Sequence, residues 1–141
     1  MTDLPTISGD VRPAQARDRD GIVGVVLAAG TSSRFGAENK LLATVAGKPL
    51  VRHAARTLLE ADLETVVVVG HEADRVREAV AREVAVVVEN PDYAAGQSTS
   101  VRRGVEWAAD LGARAAVLLP GDMPFVRPST VDSLVGAYLA D

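Results

Sequence analysis

No cysteine occurs among the 141 residues of this chain. That excludes disulfide bridges, a thiolate metal site and a cysteine nucleophile. Histidine is almost as scarce, with only His53 and His71; two are too few for a histidine metal cluster, and no pattern pairs either with a nucleophile in a Ser-His-Asp set. Aromatic residues reach only 4%. No apolar run approaches the roughly 18 residues of a membrane span. The opening stretch, "MTDLPTISGDVRPAQARDRD", has no apolar signal core. The expectation is a cytoplasmic protein with no membrane partner. Positive charge is also in short supply: 15 Lys and Arg against 19 Asp and Glu leave a net charge of −4. The balance argues against a broad nucleic-acid surface, although it leaves room for a local basic pocket. Two familiar phosphate loops are missing as well. Five residues separate Gly30 from Gly36, and Ala37 follows instead of Lys, which breaks G-x-x-x-x-G-K-[ST]; no G-x-G-x-x-G run exists.

What remains is rich in Val and Ala, with apolar residues at 48%, and long enough for one domain with one core. Residues 1–20 carry Pro5, Gly9, Pro13 and many charges without periodicity, and read as a flexible extension. From residue 21 the pattern changes. "IVGVVLAA" (22–29), "TVVVVG" (65–70), "VAVVVEN" (84–90) and "AAVLLPGD" (115–122) are near-continuous apolar runs, as expected of strands buried on both faces. Helical patterns lie between them. Val51, Ala54, Ala55, Leu58 and Leu59 recur at i, i+3, i+4, i+7, i+8 behind Pro49, with His53 on the polar face as a surface residue. Ala73, Val76 and Val80 line a second helix; Val101, Val105 and Ala108 line a third, with Trp107 at its margin. "PSTVDSLVGAYLAD" forms the last helix, with Ser129 or Thr130 as its cap. Four strand–helix alternations imply a Rossmann-like, three-layer α/β domain with a mainly parallel sheet.

In such sheets ligands bind beyond the carboxyl ends of the strands. Four polar loops converge there: "AGTSSRFGAENK", "GHEAD", "NPDYAAGQSTS" and "GDMPFV". In the first, Gly30 admits close backbone approach and consecutive small residues offer N–H groups to an anion. Arg34 supplies a planar fork and Lys40 a compact charge for phosphate oxygens. Read alone, each feature is also consistent with a solvated loop; the position after a buried strand and the Arg–Lys pair favour phosphate. Asp122, at the end of the fourth strand, suits Mg²⁺, which takes one or two carboxylates and fills its remaining positions with phosphate and water. Ser98 or Thr99 is expected to cap the third helix, leaving the rest of Gln97–Ser100 to read a base or sugar. His71 is expected to line the pocket.

The elements "LAAGTSSRFGAENKLL", "GKPLVRHAA", "VVVVGHEA", "NPDYAAGQSTSVRRGVEWA" and "LLPGDMPFV", in this order, resemble the MobA-like nucleotidyltransferases, most closely the cytidylyl-transferring branch that acts on molybdopterin. The resemblance spans residues 22 to about 140. It implies the nucleotide-diphospho-sugar transferase type of fold and a reaction in which an acceptor phosphate attacks the α-phosphate of a nucleoside triphosphate and releases pyrophosphate. A phosphate nucleophile is already anionic, so positioning and charge neutralisation suffice. By resemblance the catalytic residues are Arg34, Lys40 and Asp122, with Asp122 holding Mg²⁺. Leu27, Ala28, Ala29, Gly30, Ser33, Gly70, Gln97, Ser98 and Ser100 join Arg34 and Lys40 in binding the nucleotide. Guanylyl-transferring relatives read Leu-Ala-Gly-Gly where this chain has "LAAG"; the Ala29 methyl favours the smaller pyrimidine of CTP. The implied partners are CTP, a phosphorylated acceptor (molybdopterin first) and a molybdoenzyme or maturation factor that receives the product. Alternatives are guanylyl transfer, a sugar-phosphate acceptor, or a non-catalytic nucleotide-binding fragment. Family members continue beyond the position of Asp141 with strands that complete the sheet, so residues 21–141 are expected to be a domain truncated at its C-terminus.

Overall fold

A strand apolar at every position needs neighbours on both edges and cover on both faces, and the first run has them. The computed structural model describes residues 21–30, 39–84, 86–123 and 125–140. In it β1 (Ile22–Ala28) lies between β4 (Glu64–Val69) and β6 (Ala115–Pro120), and β5 (Val86–Glu89) adds to β4, in the order β5-β4-β1-β6. All three pairings are parallel, with Val25 opposite Val66 on one side and Leu118 on the other. A small antiparallel hairpin, β2 (Thr44–Val45) with β3 (Lys48–Pro49), stands apart. Four helices complete the described fold: α1 (Leu50–Glu60), α2 (Ala73–Val80), α3 (Gln97–Asp110) and α4 (Pro128–Ala140).

Strand alternation sorts the apolar side chains onto two faces. Val26, Ala28, Val67, Val69 and Leu119 form the larger core with Val51, Ala54, Leu58, Val76, Val80, Val131 and Val135 of the helices. Val25, Ala29, Val66 and Val68 form a smaller core, with Tyr93 and Trp107 packed against it. Val25, Val26 and Val66 to Val69 are fully buried, each contributing about 1.5–3 kcal/mol. Helices therefore cover both faces, as the alternation implies.

Pro49 precedes the first turn of α1, where its missing N–H costs nothing. Arg52 Nε and Arg56 Nη1 reach the same Glu83 oxygen at 2.9 and 3.4 Å, tying α1 to the turn that follows α2. Burial of Glu83 raises its pKa, but the Arg52 hydrogen bond and the charges of Arg56 and Arg52 outweigh this and leave the carboxyl below its ordinary value.

Three expectations are corrected. The buried stripe of α3 is Ser100, Gly104 and Ala108, and Val105 is 46% exposed. Small residues win because the helix lies so close to the sheet that a Cβ on Gly104 would sit 2.6 Å from Val25 Cγ1. His53 is half-buried and its Nε2 pairs with the Val45 carbonyl, pinning the hairpin to α1. In α4 the helix begins at Pro128, so Ser129 and Thr130 lie inside it; the N–H groups of Thr130 and Val131 use the Arg127 carbonyl instead. The expected extension over residues 1–20 lies outside the described residues. Among the described residues no helix is long and apolar enough to cross a membrane.

Candidate functional site

Four strand ends and the loops behind them form one edge of the sheet. There a cleft of about 360 Å³ opens, lined by Leu27, Ala29, Gly30, Leu41, Gln97, Ser100, Pro120, Gly121 and Asp122. Its walls come from the ends of β1 and β6 and the first turn of α3, the place that parallel α/β topology favours.

The two described charges of the predicted site meet at its mouth. Lys40 Nζ stands 4.0 Å from Asp122 Oδ2, with the side chains 56% and 40% exposed. Lys40 opens a 3-10 turn, Lys40–Leu42, whose buried Leu41 lines the cleft. Among the described residues nothing lies within 4 Å of where a Cβ on Gly30 would stand. Ala28 is not among the lining residues; it is buried in the larger core. Arg34 and Ser33 lie outside the described residues.

Gly70 does not line the cleft. A Cβ there would fall 2.7 Å from Tyr93 Cβ and 2.9 Å from Ala29 Cβ, so the residue lets the third loop pack against the end of β1. His71 does not line the cleft either. Its N–H donates to the Ala29 carbonyl at 3.0 Å, and its ring centroid is 6.0 Å from that of Tyr93.

The capping expectation for α3 is corrected. The helix begins at Gln97, with Gly96 before it and no side-chain cap. Thr99 Oγ1 instead lies 2.7 Å from the Gly96 carbonyl and 3.1 Å from that of Asp92. Ser98 is exposed, while Gln97 and Ser100 line the cleft. The organiser of this turn is Asn90, which is 3% exposed. Its amide donates to Thr99 Oγ1 and Ser100 Oγ, each at 2.9 Å, and its carbonyl accepts from Asp92 N at 3.0 Å. Sequence reasoning missed Asn90; the Asn-Pro-Asp run, a turn initiator with an Asx bond two residues on, was the available signal. It also missed Leu41, Pro120 and Gly121, which carry no chemical label.

Among the described residues no group of three or more His, Asp or Glu side chains surrounds a point that could hold a metal. A single half-exposed carboxylate, Asp122, suits a hard cation that arrives with phosphate and water oxygens, and it does not suit a closed protein cage.

Residues 24–141 match the MobA-like NTP transferase domain. The bifunctional protein GlmU of Kineococcus radiotolerans is 39% identical over 120 residues, which are 82% of this chain and 24% of that protein. The chain thus spans about a quarter of the length of the curated relatives it matches. Among solved structures, a nucleotidyl transferase from Methanothermobacter thermautotroptrophicus superposes with a TM-score of 0.73 at 29% identity, covering 83% of this chain and 57% of that one. A CMP:2-keto-3-deoxy-manno-octonic acid synthetase complexed with CTP gives 0.70 at 26%, covering 85% and 48%. Rv0371c of Mycobacterium tuberculosis in complex with manganese gives 0.64 at 30%, covering 85% and 60%. The chain belongs to the MobA-like NTP transferase domain family.

Proposed function

We propose that this chain carries the nucleotide-binding part of a nucleotidyltransferase that moves a nucleoside monophosphate from a triphosphate to a phosphorylated acceptor. The observation that carries the reading is the meeting of Lys40 and Asp122, 4.0 Å apart, beside Gly30 at the mouth of a cleft on the ligand-binding edge. In the step, an acceptor phosphate oxygen forms a bond to the α-phosphorus. The bond to the bridging oxygen breaks, and its electron pair leaves with pyrophosphate.

Lys40 neutralises charge on the α-phosphate, and Arg34, by family resemblance, holds the departing diphosphate. Interactions of this type are commonly worth about 10²–10³ in rate. Asp122 is the residue that would hold Mg²⁺, which supplies charge neutralisation across the phosphates when bound; a manganese complex of a similar structure supports the divalent-cation reading. Gln97 and Ser100 face the nucleoside from the other wall.

CTP is the favoured triphosphate. Ala29 stands in the cleft wall where guanylyl-transferring relatives carry glycine, and a similar synthetase is complexed with CTP. One methyl discriminates by only about 1–3 kcal/mol, so a preference of ten- to two-hundred-fold is expected. The collinear family resemblance favours molybdopterin as acceptor. A sugar-phosphate acceptor is the second reading, favoured by the likeness to a synthetase that acts on a sugar acid.

Calorimetry of the chain with CTP, GTP and ATP plus Mg²⁺, followed by pyrophosphate release with molybdopterin and with sugar phosphates, tests this. CTP should bind tightest and Lys40→Ala should abolish the binding gain while the fold persists. Tighter GTP binding overturns the Ala29 reading, and binding of none of the three leaves a non-catalytic domain.

A further inference from the structure

Two hydroxyl groups stand side by side in the first turn of α3, and one buried amide addresses both. Asn90 follows β5 directly, and its own N–H donates to the Val69 carbonyl of β4 at 2.7 Å, so the sheet holds its backbone. Its side chain is oriented by a donor that cannot be reversed, the Asp92 N–H, 3.0 Å from Oδ1. Nδ2 then faces the helix, and its two hydrogens go to Thr99 Oγ1 and Ser100 Oγ, each at 2.9 Å. Both hydroxyls therefore accept from Asn90 and must place their own protons elsewhere. Thr99 has acceptors for its proton, the Gly96 carbonyl at 2.7 Å and the Asp92 carbonyl at 3.1 Å. Ser100 has none among the described residues, although it is only 3% exposed. Ser100 lines the cleft, and a buried donor left unpaired costs free energy that an acceptor on a ligand restores.

We propose that Asn90 is a positioning residue that makes Ser100 a hydrogen-bond donor to the cleft, and that the nucleoside of the ligand sets an acceptor atom, a ring nitrogen, a carbonyl oxygen or a sugar oxygen, against that proton. Asn90 touches no reacting atom. It acts by donating to Ser100 from the protein side, which leaves the Ser100 proton for the cleft side. The polarity of this wall is thus fixed by a residue at the end of β5. The inference rests on the nucleotide reading for the identity of the acceptor, not for the polarity of Ser100.

The test reverses that polarity. Asn90→Asp keeps an acceptor for the Asp92 N–H but turns only acceptor oxygens toward the helix, so Ser100 spends its proton on the carboxylate. Ser100→Ala removes the proton outright. Affinities for CTP and for inorganic tripolyphosphate, each with Mg²⁺, are measured by calorimetry on the full chain. Each single variant should lose CTP affinity about tenfold. N90D/S100A should be no more than about twofold weaker than S100A, because both changes act through one proton. Tripolyphosphate, which has no nucleoside, should bind S100A within about twofold of the parent. In NMR spectra of the free chain, one Asn90 side-chain amide proton should shift upfield in S100A, while the other, held by Thr99, keeps its place. Unchanged CTP affinity in either single variant, additive losses in the double variant, an equal loss of tripolyphosphate affinity, or unmoved Asn90 signals in S100A overturns the inference. If the parent chain binds no triphosphate, the nucleotide reading falls instead, and the Asn90 signals alone decide the polarity of Ser100.

Discussion

Single residues decide how this edge of the sheet closes. Gly70 separates Ala29 from Tyr93, whose Cβ atoms would stand 2.9 and 2.7 Å from an added methyl. Both atoms are anchored to backbone and cannot swing aside. Gly70→Ala should therefore lose about 1–3 kcal/mol in urea unfolding and weaken CTP binding by moving the Ala29 wall. Asp122→Asn, in contrast, changes a half-exposed group and should unfold within about 0.5 kcal/mol of the parent, while its nucleotide binding no longer responds to Mg²⁺ in calorimetric titration. Lys40, Asp122, Gly30, Gln97 and Ser100 were legible in the sequence because charge, glycine and hydroxyl groups carry chemical labels and lie just after strands. Asn90, Leu41, Pro120 and Gly121 were not: a turn asparagine and small or apolar residues look ordinary until the fold places them at or behind the cleft.

The four sheet strands and four helices were legible in type and order, and less so in their faces; the β2–β3 hairpin was not foreseen. Strand limits fell within two residues of the apolar runs, since a buried parallel strand has no polar position to obscure its extent. The α3 stripe was misassigned because bulk was taken as the sign of burial, whereas a helix pressed close to a sheet buries its smallest residues. Gly104→Ala weighs these two effects directly. Helix propensity gains up to about 1 kcal/mol, but a methyl 2.6 Å from fully buried Val25 costs about 1–3 kcal/mol. A net loss of about 1–2 kcal/mol is expected in urea unfolding.

Between elements, Glu83 holds α1 to the turn after α2. Its folded pKa lies below the unfolded value, so its contribution is present above the ordinary carboxylate range and lost as pH falls through the folded value. Glu83→Gln should be less stable than the parent by about 1–3 kcal/mol at neutral pH. That difference should shrink as pH drops below about 4, which paired denaturation curves at several pH values will show.

For the whole molecule, a ligand that bridges the ends of β1, β6 and α3 must stabilise the fold that assembles them. CTP with Mg²⁺ at a hundred times its Kd should add about 2.7 kcal/mol and raise Tm by several degrees in a thermal-shift assay, with the rise lost in Lys40→Ala. The sequence by itself determined the parallel α/β class, the edge of the sheet where the polar loops converge and the kinds of group along it. Strand periodicity, apolar runs and polar loops are local properties, and local patterns encode them. Only the tertiary structure decided which of those groups meet. Lys40 and Asp122 are distant in the chain and become neighbours because β6 pairs directly with β1 in the order β5-β4-β1-β6. Such contacts depend on strand order and register, which the burial of whole faces sets and which no short stretch of sequence carries.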